Sequence, residues 1–203
     1  MIYGFDAVRE AFLVDNAVSG QSGPTALWDQ WPGAAGVIEL FAPIDTVEPD
    51  PEAVVRGALE SALEAMDGRD GPAGDSPRGT AALDAWAEAM DGEGEVDRAG
   101  NAYTLAVLQA ARLDGADFLA DLAASLPDLA VPLLAAERAI RDQAQAIAPL
   151  ITLFPFPSGG HGNVNNAGLR RAAAMALRRA ANHERTARTH LAEALSTFVG
   201  QSR

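Results

Sequence analysis

The chain has 203 residues, of which 15 are basic and 28 acidic, giving a formal net charge of −13. A chain of this length forms one domain, or one domain with a small appendage, and buries a substantial core. The acidic balance argues against a general nucleic-acid binder, because neutralising phosphates requires clustered cations. No apolar run reaches the ~20 residues of a membrane span, and no signal-peptide pattern is visible, so we expect a cytoplasmic protein.

Cysteine and lysine are both absent, and arginine supplies every basic side chain. The absence of cysteine excludes disulfides, thiolate nucleophiles and thiolate metal ligands. The absence of lysine excludes Schiff-base chemistry and the lysine of phosphate-binding loops. Because no complete catalytic motif is present either, the sequence favours a protein without catalysis of its own, and it implies no cofactor.

Residues 1–45 differ in pattern from the rest and predict a small β element. The stretch "MIYGFDAVREAFLVDN" predicts two short strands around a polar turn, and "GVIELFAP" at 36–43 predicts a third. A glycine-rich connection, "AVSGQSGP", lies between them. Three short strands leave one sheet face to cover, so we expect helices or a second chain to cover it.

Residues 46–203 predict an antiparallel bundle of four or five helices, so the fold class is mainly α with a small N-terminal β element (α+β). Asp50 followed by Pro51 is a strong helix start signal. Apolar residues then recur at helical spacing up to Met66. The "SP" at 76–77 repeats the capping arrangement before a short amphipathic helix.

Three longer helices follow, at about 97–125, 128–153 and 169–198, and Pro149 lies deep enough in the second to kink or shorten it. Seven of the fifteen arginines fall in the last helix region: Arg170, Arg171, Arg178, Arg179, Arg185, Arg188 and Arg203. A basic helix on an acidic chain is expected to pack against the acidic remainder of the chain or against a second subunit. Binding of an anionic ligand is the sharper alternative.

The loop "FPFPSGGHGNVNNAG" is rich in glycine and carries His161. It follows a helix end rather than a strand, so it lacks the strand–loop–helix context of a phosphate-binding loop. We therefore expect a reversal between two helices. Phe154 and Phe156 would anchor it to the bundle end, and Asn165 or Asn166 would cap the final helix.

Candidate functional residues on the helices are few. His183 adjoins Glu184, and His190 lies about 10 Å further along the helix axis, too far from His183 to share a metal. No metal site is therefore predicted. Glu137 and its neighbouring arginines face Glu184 and its neighbours, a pattern that favours interhelical ion pairs. A helical enzyme would need Glu137, His183 and Glu184 to converge in one pocket.

Tryptophans are the remaining candidates, because their rings stack on ligands, although three tryptophans near a bundle end are more often core residues. The candidate ligand-binding residues are therefore Trp28, Trp31, Trp86, Glu137, His161, His183 and Glu184.

Three N-terminal stretches, "IYGFD" at 2–6, "FLVDN" at 12–16 and "LWDQW" at 27–31, resemble the C-terminal end of a papain-like sheet. The sheet belongs to a bacterial family of bacteriocin-processing cysteine-peptidase-like proteins and butirosin biosynthesis protein H-like acyltransferases. The helical remainder is similar to the extension that follows this module. The resemblance implies that 1–45 is a remnant of the sheet and 46–203 a helical domain.

The family's nucleophilic cysteine would lie upstream, and its histidine would fall at or before Met1. Asp15, or Asn16, matches the residue that orients this histidine, which makes Asp15 a vestigial orienting residue. An orienting carboxylate without a nucleophile and a base performs no acyl transfer.

The leading hypothesis is a cytoplasmic bacterial protein that acts as a non-catalytic ligand-binding or interaction module. It would self-associate as a homo-oligomer through the small sheet and its nearby tryptophans. The alternative is the helical half of a cysteine-peptidase-like acyltransferase, completed in trans by an upstream-encoded partner that carries Cys and His. Neither nucleic acid nor a membrane is an expected partner.

Overall fold

The structure, a computed structural model, describes residues 2–9, 11–16, 21–27, 48, 50–69 and 76–201, and within the strands the description is of the backbone. The chain divides into two compact units, Met1–Glu48 and Pro49–Arg203. The predicted strand at 36–43 lies outside the described residues.

The described part of the N-terminal unit forms three antiparallel strands in the order β1-β2-β3: β1 Ile2–Asp6, β2 Ala11–Asn16 and β3 Gln21–Leu27. Asp6 lies opposite Ala11 in the first pair, and Asn16 lies opposite Gln21 in the second. β3 occupies part of the stretch expected to be a glycine-rich connection, because pairing with a neighbouring strand outweighs weak local strand propensity.

The C-terminal unit is helical, which confirms the predicted mainly α bundle. Its helices are α1 Pro51–Met66, α2 Gly79–Asp91, α3 Arg98–Ser125, α4 Ala130–Leu153 and α5 Ala167–Gln201. α4 packs against both α3 and α5, and α1 and α2 both pack on α5. α5 therefore packs against α4 and against the successive pair α1 and α2, and α3 joins the bundle through α4.

Two predicted helix starts are confirmed by side-chain caps. The Asp50 carboxylate accepts a hydrogen bond from the Glu52 N–H at 3.0 Å at the start of α1. Asn166 Oδ1 accepts from the Leu169 N–H at 3.1 Å at the start of α5. In both cases a side-chain oxygen satisfies a backbone donor that has no partner within the helix.

The predicted cap of α2 at Ser76 and Pro77 is wrong, because the helix begins at Gly79 without a side-chain cap. Gly79 has a φ of 55°, and a Cβ on it would lie 2.2 Å from the Met66 carbonyl oxygen. The Thr80 hydroxyl donates to the same oxygen at 3.3 Å. The close approach to the end of α1 thus determines where α2 begins.

The segment after α4 reverses the chain as expected. α4 runs through Pro149 to Leu153, so the proline does not end the helix. Phe154 is fully buried. Phe156 stays 41% exposed and meets Tyr103 edge-on, with ring centroids 5.7 Å apart. The bundle end is therefore anchored mainly by Phe154.

The arginines of α5 bind the acidic residue that directly follows α1 and two acidic residues of α2, as the charge distribution predicts. The ion pairs are Arg178–Asp91, Arg185–Asp84 and Arg188–Asp67. These exposed pairs align α1 and α2 along α5, although each contributes little free energy alone.

Arg170 makes a different contact, to the backbone at the end of α2. Its guanidinium donates to the carbonyl oxygens of Ala89, Met90 and Gly94 at 2.7, 2.9 and 2.8 Å. The last carbonyls of a helix lack intrahelical partners, so a cation with several donors is well suited to this position.

We predict that Arg170→Ala lowers the free energy of unfolding by about 1.5–3 kcal/mol, because three charge-assisted hydrogen bonds are lost. Arg171→Ala is the matched control, since Arg171 is 77% exposed and only approaches Asp91 at 4.0 Å. Urea unfolding followed by circular dichroism measures both changes. Equal effects of the two substitutions would contradict the capping role.

The ion pair between Asp67 and Arg188 should make an acid-sensitive contribution to stability. The hydrogen bond from Arg188 lowers the pKa of Asp67 from 3.8 to about 2. Because the folded pKa lies below the unfolded one, this contribution is present above about pH 4 and is lost as the pH falls towards 2. Asp67→Asn should reduce thermal stability at pH 7 and weaken its pH dependence between 4 and 2. An unchanged acid profile in thermal unfolding would rule out this linkage.

Candidate ligand-binding cleft

The helical unit contains two apolar clusters with a polar layer between them. The first includes Leu59, Leu63, Leu119, Leu133, Leu191 and Phe198. The second includes Leu83, Leu105, Ile147, Leu150, Phe154 and Leu177. Between the clusters, α3, α4 and α5 each place a polar residue at the same level: Arg112, Gln143 and Glu184.

These three side chains form a closed hydrogen-bond network. Arg112 Nε donates to Gln143 Oε1 at 2.8 Å, and Arg112 Nη2 donates to Glu184 Oε2 at 3.2 Å. Gln143 Nε2 donates to the same Glu184 oxygen at 2.6 Å. Gln143 is 0% and Glu184 1% exposed, whereas 25% of the Arg112 side chain remains accessible.

Burial of a carboxylate is unfavourable unless opposite charge and hydrogen bonds compensate for the lost water. Arg112 supplies the charge, and Gln143 supplies a second donor to the oxygen that Arg112 contacts. We refer to Arg112, Gln143 and Glu184 as the polar layer.

A cavity of about 700 Å³ lies between α1 and α2 on one side and α3 on the other, and Arg112 and Glu184 belong to its lining. Small residues face it from both walls: Ala58, Ala62 and Ala65 from α1, Ala111 and Gly115 from α3. A Cβ added at Gly115 would meet nothing within 4 Å. Short side chains on both walls therefore leave space that larger ones would fill.

The polar groups in the lining are few. Besides Arg112 and Glu184 they include Arg78, Thr104 and the indole of Trp86. The Thr104 hydroxyl donates to the Gly100 carbonyl oxygen, and Trp86 Nε1 donates to Asn101 Oδ1 at 3.0 Å. Arg78 forms no ion pair with any part of the chain that the structure describes. The cavity is thus mainly apolar, and its charged groups are the Arg112–Glu184 pair and Arg78.

Glu184 and Trp86 are the sequence-predicted site residues that line this cavity. Glu137 instead bonds Arg141 one turn later in α4, and Arg141 also donates to Asp117 on α3 at 2.7 Å. The predicted pairing of the α4 charges with Glu184 and its neighbours is therefore wrong. Glu184 reaches across the bundle to α3, because that is where a cation lies at its level.

The remaining predicted residues lie apart from the cavity. His183 is half-buried next to Glu184, and His161 is exposed in the loop before α5 at a φ of 50°. Neither lines the cavity, so Glu137, His183 and Glu184 do not converge in one pocket. Among the described residues no cluster of three or more His, Asp or Glu could hold a metal ion.

The N-terminal candidates fall in the part that is not described at side-chain level. Trp28 and Trp31 lie outside the described residues, and Asp15 lies on β2, where the description is of the backbone. Their roles stay predictions.

Arg112 and Gln143 are not among the site residues predicted from the sequence, although the sequence contains a signal for a buried polar contact. Gln143 interrupts a series of buried residues on α4 at Ala136, Ile140, Ile147 and Leu150. Glu184 does the same on α5 between Leu177 and Leu191. A polar residue at a core position of each facing helix predicts a buried polar contact between them.

No protein-family model, curated protein or solved structure matches this chain. No helix in the described residues is both long and apolar enough to cross a membrane.

We predict that Arg112→Met lowers the free energy of unfolding by roughly 3 kcal/mol, because it leaves the Glu184 carboxylate buried without its charge partner. A triple variant, Arg112→Met with Gln143→Leu and Glu184→Met, should recover most of this loss, since apolar groups then fill the whole layer. Urea unfolding measures both. A triple variant less stable than the single one would contradict this account.

Proposed function

We propose that the helical unit binds a small, mainly apolar molecule in the cleft between α1, α2 and α3, without catalysing its conversion. The observation that supports this most directly is the cavity of about 700 Å³ with small apolar walls and a charged pair in its lining. Ligand sites in proteins have volumes of about 300–1,000 Å³, apolar linings and a few polar groups that orient the ligand.

The chemistry of the lining favours binding over catalysis. Acid–base catalysis uses two groups whose environments give them different protonation states, and nucleophilic catalysis uses a nucleophile beside a base. In the described lining Glu184 is the carboxylate, it is paired with Arg112, and no histidine accompanies it. The Thr104 hydroxyl already donates to the Gly100 carbonyl oxygen.

Self-association through the N-terminal strands and Trp28 and Trp31 is a separate part of the proposal. Among the described strands β1 and β3 are the outer ones, and an outer strand presents unpaired backbone groups that favour pairing. A cytoplasmic location, the papain-like origin of this unit and completion of an acyltransferase by a partner stay predictions.

Gly115→Trp tests the cleft, because the indole would project into space that the ligand needs. We predict that it weakens binding of the uncharged fluorescent probe N-phenyl-1-naphthylamine by roughly tenfold or more, about 1.4 kcal/mol. Fluorescence titration of the full chain measures the dissociation constant.

Gly57→Trp is the matched control, since Gly57 is also a helical glycine with nothing within 4 Å of an added Cβ but does not line the cavity. It should leave probe binding unchanged. Absence of saturable binding to the unaltered chain, or equal affinity of the two variants, would refute the proposed cleft.

A further inference from the structure

The polar layer contains a carboxylate oxygen that accepts no hydrogen bond from the other residues that the structure describes. Glu184 Oε2 accepts hydrogen bonds from both Arg112 and Gln143. Glu184 Oε1 accepts none from the described residues, although Glu184 is only 1% exposed. An ionised carboxylate oxygen accepts about two hydrogen bonds, and Oε1 keeps some accessible surface, because it is not among the fully buried side-chain atoms that lack a partner.

The position of Glu184 indicates where that donor comes from. Glu184 lines the cavity, while its Oε2 is directed to the side chains of α3 and α4. We infer that Oε1 is the oxygen that faces the cavity. A molecule that displaces water from this oxygen therefore has to offer an N–H or O–H group in its place.

The charge of Arg112 decides which kind of donor fits best. Arg112 pairs with Glu184, so the pair is already neutral. An ammonium group next to Glu184 would be repelled by the positive charge of the Arg112 guanidinium. A carboxylate would place its lone pairs against those of Oε1. A hydroxyl avoids both conflicts, because it donates to Oε1 and its own oxygen can accept from Arg112.

Arg112 has the donor that this arrangement needs. Its Nε and Nη2 are used by Gln143 and Glu184, and its Nη1 donates to no group in the described part of the chain. The guanidinium is planar, and its Nη1 and Nη2 are attached to the same carbon atom. A free N–H of Nη1 is therefore close to the group that Nη2 binds. Arg112 Nη1 and Glu184 Oε1 thus both lack a described partner, and they belong to two bonded side chains that line the same cavity.

We propose that the cleft selects molecules whose apolar body ends in an uncharged hydroxyl, which donates to Glu184 Oε1 and accepts from Arg112. This inference rests on the proposed function, because it names the polar group of the molecule that occupies the same cavity.

Two isomers test the inference on the unaltered full chain. Octan-1-ol and 1-methoxyheptane have the same atoms, but only the alcohol donates a hydrogen bond. Isothermal titration calorimetry should show the alcohol binding on the order of tenfold more tightly, since the ether leaves Oε1 without a donor. Octanoate, titrated in parallel, should bind more weakly than the alcohol.

Glu184→Gln tests the residue itself. The glutamine oxygen would replace Oε2 opposite Arg112 and Gln143, and its amide N–H groups would face the cavity. The preference for the alcohol over the ether should then fall to about twofold or less. Glu137→Gln is the matched control, since Glu137 bonds Arg141 and lies outside the cavity; it should keep the full preference.

The outcomes separate the two proposals. If neither isomer binds, the proposed function fails. If both bind equally well to the unaltered chain, the cleft binds apolar molecules but the hydroxyl inference is wrong. If octanoate binds most tightly and Glu184→Gln does not alter its affinity, an anion at Arg78 replaces the hydroxyl at Glu184. The isomer comparison decides the inference even where Glu184→Gln lowers stability.

Discussion

The buried carboxylate of Glu184 is the constraint on which the helical unit depends. A charge at this depth requires a cation and further donors, and the chain supplies them from two other helices, Arg112 on α3 and Gln143 on α4. Because the three side chains meet only when their helices lie at matching heights, the network fixes the register of α3, α4 and α5. Polar residues at core positions specify register in coiled coils by the same physics.

The two walls of the cleft are attached to different helices of the bundle. α3 is attached to α4 by the Arg112–Gln143 bond and by Arg141 with Asp117. The wall formed by α1 and α2 is attached to α5 by arginine–aspartate pairs and by Arg170, which caps the end of α2. Each wall thus has its own attachment, and alanine and glycine line the space between the walls.

Local signals were sufficient for much of the helical fold. Asp50 and Asn166 mark helix starts because a cap depends on residues a few positions apart. The start of α2 was not predictable in this way, because Gly79 lies against the end of α1 and the preceding serine does not cap it. Its position depends on a contact between two helices, which no local pattern contains.

The site was harder to predict than the fold for a related reason. Glu184 is a candidate from the sequence, but its partner Arg112 lies 72 positions earlier in the chain, on α3, and no local pattern connects residues so far apart. The charged residues of α4 were expected to face it, and Gln143, a neutral residue of that helix, does so instead. The cavity could not be predicted from the sequence either, because alanines on α1 and α3 are equally consistent with close helix packing.

A crystal structure of the full chain grown with octan-1-ol tests the central claim most directly. We predict electron density for the alcohol between α1 and α3, its oxygen within hydrogen-bond distance of Glu184 Oε1, and Glu184 Oε2 still bonded to Arg112 and Gln143. Direct packing of Ala62 against Gly115, with Glu184 turned towards solvent and no alcohol between the helices, would contradict both the polar layer and the cleft.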